Sequence, residues 1–135
     1  MADGDIQDFI TRFAAAWAAR DPQAFLALWH ADGRLVSPLY DRPVAGKELG
    51  KLTERVRQAA PDHVWQLLDW AARGDIVMVE WQATRTAGGQ RVDWRGVDKF
   101  RLREGRIAEE RVYMDTAALR AARGLAWPHP LMPLD

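Results

Sequence analysis

The residues best suited to chemistry lie in one stretch near the end of the sequence, VDKFRLREGRIAEERVYMD, residues 97–115. Apolar and polar residues alternate there on both sides of Glu104-Gly105, which predicts two antiparallel strands joined by a two-residue turn. Counting back from that turn places Asp98 opposite Arg111, on the face that carries the apolar side chains. A carboxylate and a guanidinium on such a face must pair, because an unpaired buried charge is costly.

Two interpretations of this predicted pair stay open. It is either a structural ion pair inside a closed core or part of the polar floor of a ligand cavity. In the second case, Asp98 or Asp115 would move a proton, and Arg111 would orient a substrate or stabilise an oxyanion. The opposite face of the same register pairs Lys99 with Glu110, which we expect to be a solvated pair of little energetic value.

Aromatic residues are the second source of candidates, since the chain contains seven tryptophans. Tryptophan is large and usually well buried, so these side chains form either a generous core or the walls of an aromatic pocket. His63 begins a predicted strand, where a solvated side chain and a pocket base are both possible. The candidate substrate-binding residues are four aromatic side chains and this histidine: Trp17, Tyr40, Trp94, Tyr113 and His63.

The charge balance excludes several classes of partner. Lys plus Arg and Asp plus Glu both number 19, so the formal net charge is zero and attracts neither nucleic acid nor an anionic membrane. Cysteine is absent, which excludes disulfides and agrees with a cytoplasmic location. The three histidines have no short ligand spacing, so we expect no metal and no cofactor. We expect no signal peptide, because the N-terminus lacks a basic region followed by a long apolar run. We also expect no membrane span, because no apolar window approaches about 18 residues.

The length of 135 residues and the 48% hydrophobic content predict one domain, with a core over about 5–123 and an extended proline-rich tail over 124–135. Apolar residues at helical spacing predict helices over about 5–19, 22–33, 46–59 and 116–123. Alternation predicts strands over about 34–38, 63–71, 76–86, 91–103 and 106–115. The predicted fold is α+β, in the order α-α-β-α-β-β-β-β-α. A cone-shaped, curved antiparallel sheet carries three N-terminal helices on its concave face, which leaves room for a small apolar molecule.

Three stretches carry a resemblance to a known family: FAAAWAARDPQAFLALWHADGRLVSP, AGKELGKL and the closing hairpin with Gly-Arg-Ile at its turn. From Phe9 to Leu119 the chain resembles the nuclear-transport-factor-two-like superfamily, with its ketosteroid-isomerase-like and SnoaL-like branches. The resemblance implies the cone-shaped fold and a homodimer formed through the outer face of the sheet. It does not fix an activity, because the superfamily includes isomerases, cyclases, epoxide hydrolases, dehydratases and binding modules.

Residue by residue, the chain departs from the ketosteroid isomerases. Their general-base aspartate precedes the proline that ends the first strand, where this chain has Ser37. A serine hydroxyl cannot replace a carboxylate as a base at neutral pH. The tyrosine of their first helix corresponds to Phe13, and their protonated aspartate is most similar to Asp98. The resemblance therefore does not imply a standard ketosteroid isomerase.

Two other branches share one residue with this chain. Limonene-type epoxide hydrolases use an aspartate at the end of the last strand, which resembles Asp115, but their Arg-x-Asp on an earlier strand is replaced here by EWQA. SnoaL-like polyketide cyclases use a single acid/base aspartate, which again resembles Asp115.

The sequence thus supports two hypotheses from different classes. The first is a small-molecule enzyme of the isomerase, cyclase or hydrolase type, with an acid/base aspartate in an aromatic-lined pocket that takes an apolar carbonyl or polycyclic substrate. The second is a non-catalytic module of the same fold that binds a ligand or only dimerises. On either hypothesis the homodimer would use the outer sheet face, with Val97, Val112, Met114 and Trp70.

Overall fold

The structure, a computed structural model, describes residues 3–126, with the backbone alone for Asp3. Its helices are α1 (Asp3–Ala19), α2 (Pro22–Leu26), a 3₁₀ helix (Gly46–Lys51), α3 (Leu52–Ala59) and α4 (Ala117–Arg123). Its strands are β1 (Trp29–Val36), β2 (Val44–Ala45), β3 (Val64–Arg73), β4 (Ile76–Ala87), β5 (Gln90–Arg103) and β6 (Arg106–Met114). The predicted tail falls mostly on residues 127–135, which lie outside the described residues.

The strands form one sheet in the order β2-β1-β6-β5-β4-β3. Helices pack on this curved, unclosed sheet, so the predicted α+β cone-shaped fold is confirmed. The antiparallel prediction holds for every pairing except β1 with β6, which is parallel. Strand β2 was not predicted, because two residues are too few to show a period. Within residues 3–126, no helix is both long and apolar enough to cross a membrane.

The first helix is amphipathic as its spacing predicts. Ile6, Phe9, Ile10 and Phe13 are each at most 3% exposed. The rings of Phe9 and Phe13 meet the Phe100 ring of β5 edge to face, with centroids 5.2 and 4.9 Å apart. This contact anchors α1 to the interior of the sheet.

The second helix is shorter than predicted. It begins as expected, because the Asp21 carboxylate accepts hydrogen bonds from the backbone N–H groups of Gln23 and Ala24. It ends at Leu26 rather than near residue 33, and β1 already begins at Trp29. The i, i+4 spacing of Phe25 and Trp29 fits one continuous helix, but Phe25 reaches the core from the short helix α2 and Trp29 reaches it from strand β1.

The closing hairpin contains the most consequential departure from the predicted register. Glu104 and Gly105 both have positive φ, 54° and 75°, and the turn pairs the residues on either side of it as predicted. A bulge then leaves Ala108 without a partner, so that Arg101 pairs with Glu109. From there on, every β6 side chain faces the side opposite to that predicted, because side chains alternate with a period of two.

The last helix packs against the β4–β5 hairpin. Leu119 is fully buried against a cluster that includes Trp81 and Trp94. Gly88 in the hairpin turn lies so close to α4 that a Cβ atom there would be 1.8 Å from the carbonyl oxygen of Ala122. The approach of backbone to backbone therefore requires glycine at this position.

Adjacent glycines of that turn allow a matched test. Gly88 and Gly89 both have positive φ, but a Cβ atom at Gly89 would meet nothing within 4 Å. We expect both alanine variants to lose stability from backbone strain of about 1–2 kcal/mol. Gly88→Ala should lose about 1–3 kcal/mol more, because it also collides with α4. Urea unfolding measures both, and equal losses would contradict the observed packing of α4.

Candidate functional site

The concave side of the sheet holds a cavity of about 90 Å³. It lies between the inner faces of β4, β5 and β6 and the segments that cross over them, from the end of α1 to the start of β3. Most of the wall is aromatic or aliphatic, including Trp17, Trp65, Trp81, Trp94, Val112 and Met114. An apolar wall of this kind excludes water and strengthens every electrostatic interaction inside it.

Two carboxylic acids lie on the floor of this cavity. Asp98 of β5 and Glu110 of β6 are 5% and 4% exposed. Glu110 lies opposite Phe100, so the two carboxylic acids occupy diagonal positions of adjacent strands on the same face. The Trp81 indole N–H donates a 2.9 Å hydrogen bond to Asp98 Oδ1, while Glu110 Oε1 has no hydrogen-bond partner within residues 3–126.

Burial raises the pKa values of both acids, and the charge of Asp98 adds to the rise for Glu110. Burial raises the pKa of Asp98 to about 7, and the hydrogen bond from Trp81 partly opposes this by favouring the ionised form. Burial, together with the nearby charge of Asp98, raises the pKa of Glu110 well above its ordinary value. Two such acids behave as a coupled pair, in which ionisation of one keeps the proton on the other.

A glycine positions the indole that contacts this pair. Gly96 lies on the inner face of β5, opposite Trp81 of β4. A Cβ atom at Gly96 would be 2.5 Å from Trp81 Cζ2, so only glycine leaves room for the ring to lie flat against β5. The hydrogen bond to Asp98 therefore depends on the missing side chain at Gly96.

A second polar group of residues lies nearer the β4–β5 turn. The Arg85 guanidinium stacks on the Trp94 ring, 5.1 Å from its centroid. The His63 ring lies between Trp94 and Trp17, with centroid distances of 5.9 and 6.4 Å. Burial lowers the pKa of His63 to about 4, with the Arg85 and Arg20 charges acting in the same direction. The histidine is therefore neutral at neutral pH and able to accept or donate a hydrogen bond.

Tyr40 lines the cavity and interacts electrostatically with members of both polar groups of residues. Burial raises the pKa of its hydroxyl to about 12, although the nearby guanidinium groups of Arg55 and Arg85 oppose the shift. Glu110 acts on Tyr40 in the same direction as burial. The phenol therefore remains protonated at neutral pH, as a hydrogen-bond donor in the cavity wall.

The structure brings five of the eight predicted site residues to the cavity: Asp98, Trp17, Tyr40, Trp94 and His63. Asp98 is the only member of the predicted catalytic set among them, and its catalytic role stays a prediction. The second acid of the floor, Glu110, was predicted to be on the surface with Lys99, and that placement is wrong because the bulge reverses the strand.

The other three predicted residues do not line the cavity, and the predicted pairing of Asp98 with Arg111 is wrong. Arg111 lies opposite Lys99 on the outer face of the sheet, where its Nε donates a 2.8 Å hydrogen bond to Glu109. The Tyr113 side chain is 55% exposed on that same face. The bulge at Ala108 explains both positions, because it turns Arg111 and Tyr113 to the outer face of the sheet.

Asp115 is exposed just beyond β6. Its Oδ1 accepts a 2.9 Å hydrogen bond from the backbone N–H of Ala117, at the start of α4. This is an interaction typical of a carboxylate at the beginning of a helix. The residue that resembled the acid/base group of polyketide cyclases thus accepts a backbone hydrogen bond just before α4 and does not line the cavity.

Sequence reasoning also missed Arg85, although a signal for it existed. Val77, Val79, Trp81 and Ala83 alternate inward along β4, and the same period places Arg85 inside. No comparable signal existed for Glu110, since its inward position depends on a bulge that the alternation does not reveal.

Ser37 also lines the cavity, and its hydroxyl accepts a 3.2 Å hydrogen bond from the Leu39 N–H.

No metal site is visible in the part of the chain that the structure describes, where no three His, Asp or Glu side chains are grouped to hold an ion. The chemistry that the arrangement supports uses proton transfer and hydrogen bonding. Asp98 has a pKa of about 7, which suits proton transfer near neutral pH, whereas the protonated Tyr40 phenol and the neutral His63 offer hydrogen bonds.

Comparison with known proteins identifies the family. The model of the SnoaL-like domain family matches residues 10–110, and the chain belongs to this family. No curated protein is significantly similar to the chain in sequence.

Several solved structures share the fold. AclR from Streptomyces galilaeus, described as a putative hydroxylase, has a TM-score of 0.76 at 23% identity, over 91% of this chain and 98% of its own. IdmH from Streptomyces antibioticus, a putative polyketide cyclase, has a TM-score of 0.72 at 21% identity, over 88% and 98%. TerC, co-crystallised with polyporic acid, has a TM-score of 0.76 at 20% identity, over 87% and 97%. At such identities the likeness shows the fold.

The raised pKa of Asp98 predicts a specific pH dependence of stability. Its pKa is about 7 in the folded chain against an ordinary value of 3.8, so its contribution to stability is present below about pH 4 and is lost as the pH rises through 7. Asp98→Asn should therefore gain stability relative to the wild type over that range, by up to a few kcal/mol. Urea unfolding from pH 4 to 8, with Glu110→Gln present in both proteins so that the coupled acid does not titrate, measures the difference. The titration of His63 is the same in both proteins and cancels. A difference that does not change with pH would contradict the buried position of Asp98.

Proposed function

We propose that this SnoaL-like protein is an acid/base enzyme that moves a proton on a small, largely apolar carbonyl compound, with Asp98 and Glu110 as the reacting pair. The observation that supports this proposal is the position of both acids on the floor of an aromatic cavity, with raised pKa values. Groups that titrate near the working pH are the best general acids and bases.

The surroundings assign different tasks to the two acids. Asp98 accepts the Trp81 N–H, which favours its ionised form, so it is the base that removes a proton from carbon. Its charge keeps Glu110 protonated, and Glu110 Oε1 has no hydrogen-bond partner within the described residues. Glu110 is therefore the group that donates a hydrogen bond to the substrate oxygen, where negative charge develops.

This division of roles also compensates for what the chain lacks relative to ketosteroid isomerases. Ser37 stands where those enzymes have their base, and Phe13 is only 2% exposed in the core, with no hydroxyl to offer. In our proposal a second acid on the next strand, Glu110, allows Asp98 to serve as the base instead. The machinery is thus different, although the fold is shared.

The size of the cavity limits the substrate. Its volume of about 90 Å³ is below the range of about 300–1,000 Å³ that is typical of ligand pockets. One or two rings suit this space better than a polycyclic compound, which would require movement of lining side chains. The wall of tryptophans favours a flat ring.

Hydrogen exchange on a simple ketone tests the proposal. With 2-tetralone as the probe, in deuterated buffer, we expect the protein to accelerate exchange of the protons next to the carbonyl, as followed by NMR. Asp98→Asn and Glu110→Gln should each lower the rate about 100-fold or more, as expected for loss of a positioned acid or base. Glu109→Gln is the matched control, because Glu109 lies on the outer face, and it should leave the rate unchanged.

The outcomes separate the two hypotheses for this chain. Exchange that persists in both cavity variants, or that never exceeds the rate in buffer, would contradict the enzyme proposal. Saturable binding of 2-tetralone without exchange would instead support a ligand-binding module with no chemistry.

We also propose that two copies associate through the outer face of the sheet. The structure removes three residues from the predicted interface. Val112 and Met114 line the cavity, and Trp70 packs against the core. Val97 remains on the outer face, and Tyr113 lies directly opposite it.

The exposed side chains on this face suit a second copy. Met78 and Tyr113 are 41% and 55% exposed, and Glu80 and Lys99 flank them on the same face. An apolar strip between opposite charges is self-complementary when related by a two-fold axis.

Sedimentation at micromolar concentration tests the dimer. The wild type should sediment as a dimer, and Tyr113→Glu should shift it towards the monomer, because a buried charge at the centre of the interface is costly. Leu26→Glu is the matched control, since Leu26 is 43% exposed but lies away from the outer face of the sheet. A monomeric wild type, or an equal effect of both substitutions, would contradict this interface.

A further inference from the structure

Arg85 is the charged side chain in the cavity that the proposed reaction does not use. It is 5% exposed on the inner face of β4 and lines the cavity. Its guanidinium stacks on Trp94, but its Nε has no hydrogen-bond partner within residues 3–126. None of the ion pairs found within that range includes it. A buried guanidinium with neither a hydrogen bond at Nε nor an ion pair is unusual, because buried charges are normally paired.

The neighbouring groups do not neutralise Arg85. Burial and the nearby charge of Arg123 both lower the pKa of Arg85, while Tyr40 and Asp62 act in the opposite direction. Tyr40 is a neutral phenol, and the Asp62 carboxylate is exposed and accepts hydrogen bonds from the N–H and hydroxyl of Thr86. Guanidinium stays charged in proteins, and its stacking on Trp94 offsets only part of its desolvation.

We propose that Arg85 recognises an anionic group of the ligand, and that the cavity takes a small aromatic carboxylate. Guanidinium matches a carboxylate with two parallel hydrogen bonds, and the tryptophan walls match a flat ring. This inference rests on the cavity of the proposed function and narrows its substrate class. The carbonyl compound would carry an acidic group in addition to the carbonyl that reacts.

The sheet register gives the ligand one orientation. Arg85 lies opposite Val92, and Asp98 is six residues further along β5, which is a separation of about 20 Å between the backbone positions. The carboxylate of a ligand would be repelled by an ionised Asp98 and attracted by Arg85. The anionic end therefore binds towards the β4–β5 turn, and the ring points along the cavity in the direction of Asp98 and Glu110.

Calorimetric titration with matched acids and amides tests this inference. The probes are benzoate and cinnamate, each compared with its neutral carboxamide. The titrations are made at pH 8, where the carboxyl groups of both probes are ionised. The wild type should bind each acid at least about tenfold more tightly than its amide, as expected for a charge-assisted bidentate contact. In Arg85→Gln the preference should fall to about twofold or less. Arg95→Gln is the matched control, since Arg95 is exposed on the outer face of β5, and it should keep the preference.

The wild-type comparison alone can overturn the inference, whether or not Arg85→Gln folds. Equal affinities for each acid and its amide would overturn it. Failure of both benzoate and cinnamate to bind at millimolar concentration would also overturn it. A preference that survives in a folded Arg85→Gln would also overturn it. Asp98→Asn separates this inference from the proposed reaction, because it should retain the preference for acids even if it stops proton exchange. A wild type that prefers acids but exchanges no protons would refute the reaction and leave the role of Arg85 intact.

Discussion

The candidate site depends on one irregular pairing between β5 and β6. The unpaired residue Ala108 shifts the register by one, and alternation then reverses every later side chain of β6. Glu110, Val112 and Met114 turn into the cavity as a result, while Arg111 and Tyr113 turn out to the sheet surface. With a regular hairpin, Asp98 would face a guanidinium. With the bulge it shares the cavity floor with a second acid.

That exchange of partners determines the chemistry available to the cavity. An ion pair between Asp98 and a guanidinium would hold the acid ionised, with little tendency to take up a proton at neutral pH. In the observed register, burial in an apolar wall raises the pKa of Asp98 to about 7, and the nearby charge of Asp98 adds to the rise in the pKa of Glu110. The Trp81 indole, which fits only because position 96 is glycine, makes the two acids unequal. The proposed roles of base and acid follow from that inequality.

The sequence predicts most of the fold but only part of the site, for physical reasons. Helix α1 and strands β3 to β6 each have a long, clear hydrophobic period, and their predicted positions agree with the structure to within a few residues. The end of α2 at Leu26 was not predictable, because Phe25 and Trp29 bury equally well from one long helix or from a short helix followed by a strand. Arg85 follows from the alternation of β4, whereas Glu110 requires the bulge, which depends on contacts with β1 and β5 rather than on local pattern. The overall fold is therefore predictable from the sequence even though a one-residue change of register reverses which β6 side chains face the cavity.

The most direct test of this account is an NMR titration of the side-chain carboxyl carbons of Asp98 and Glu110. The account predicts that Asp98 titrates near pH 7 and that Glu110 titrates well above its ordinary pKa, each responding to the ionisation of the other. Glu109 provides the internal reference, because its hydrogen bond from Arg111 holds its pKa below the ordinary value. If Asp98 and Glu110 instead both titrate near pH 4, independently of each other, the two acids do not share a buried site and the central claim is wrong.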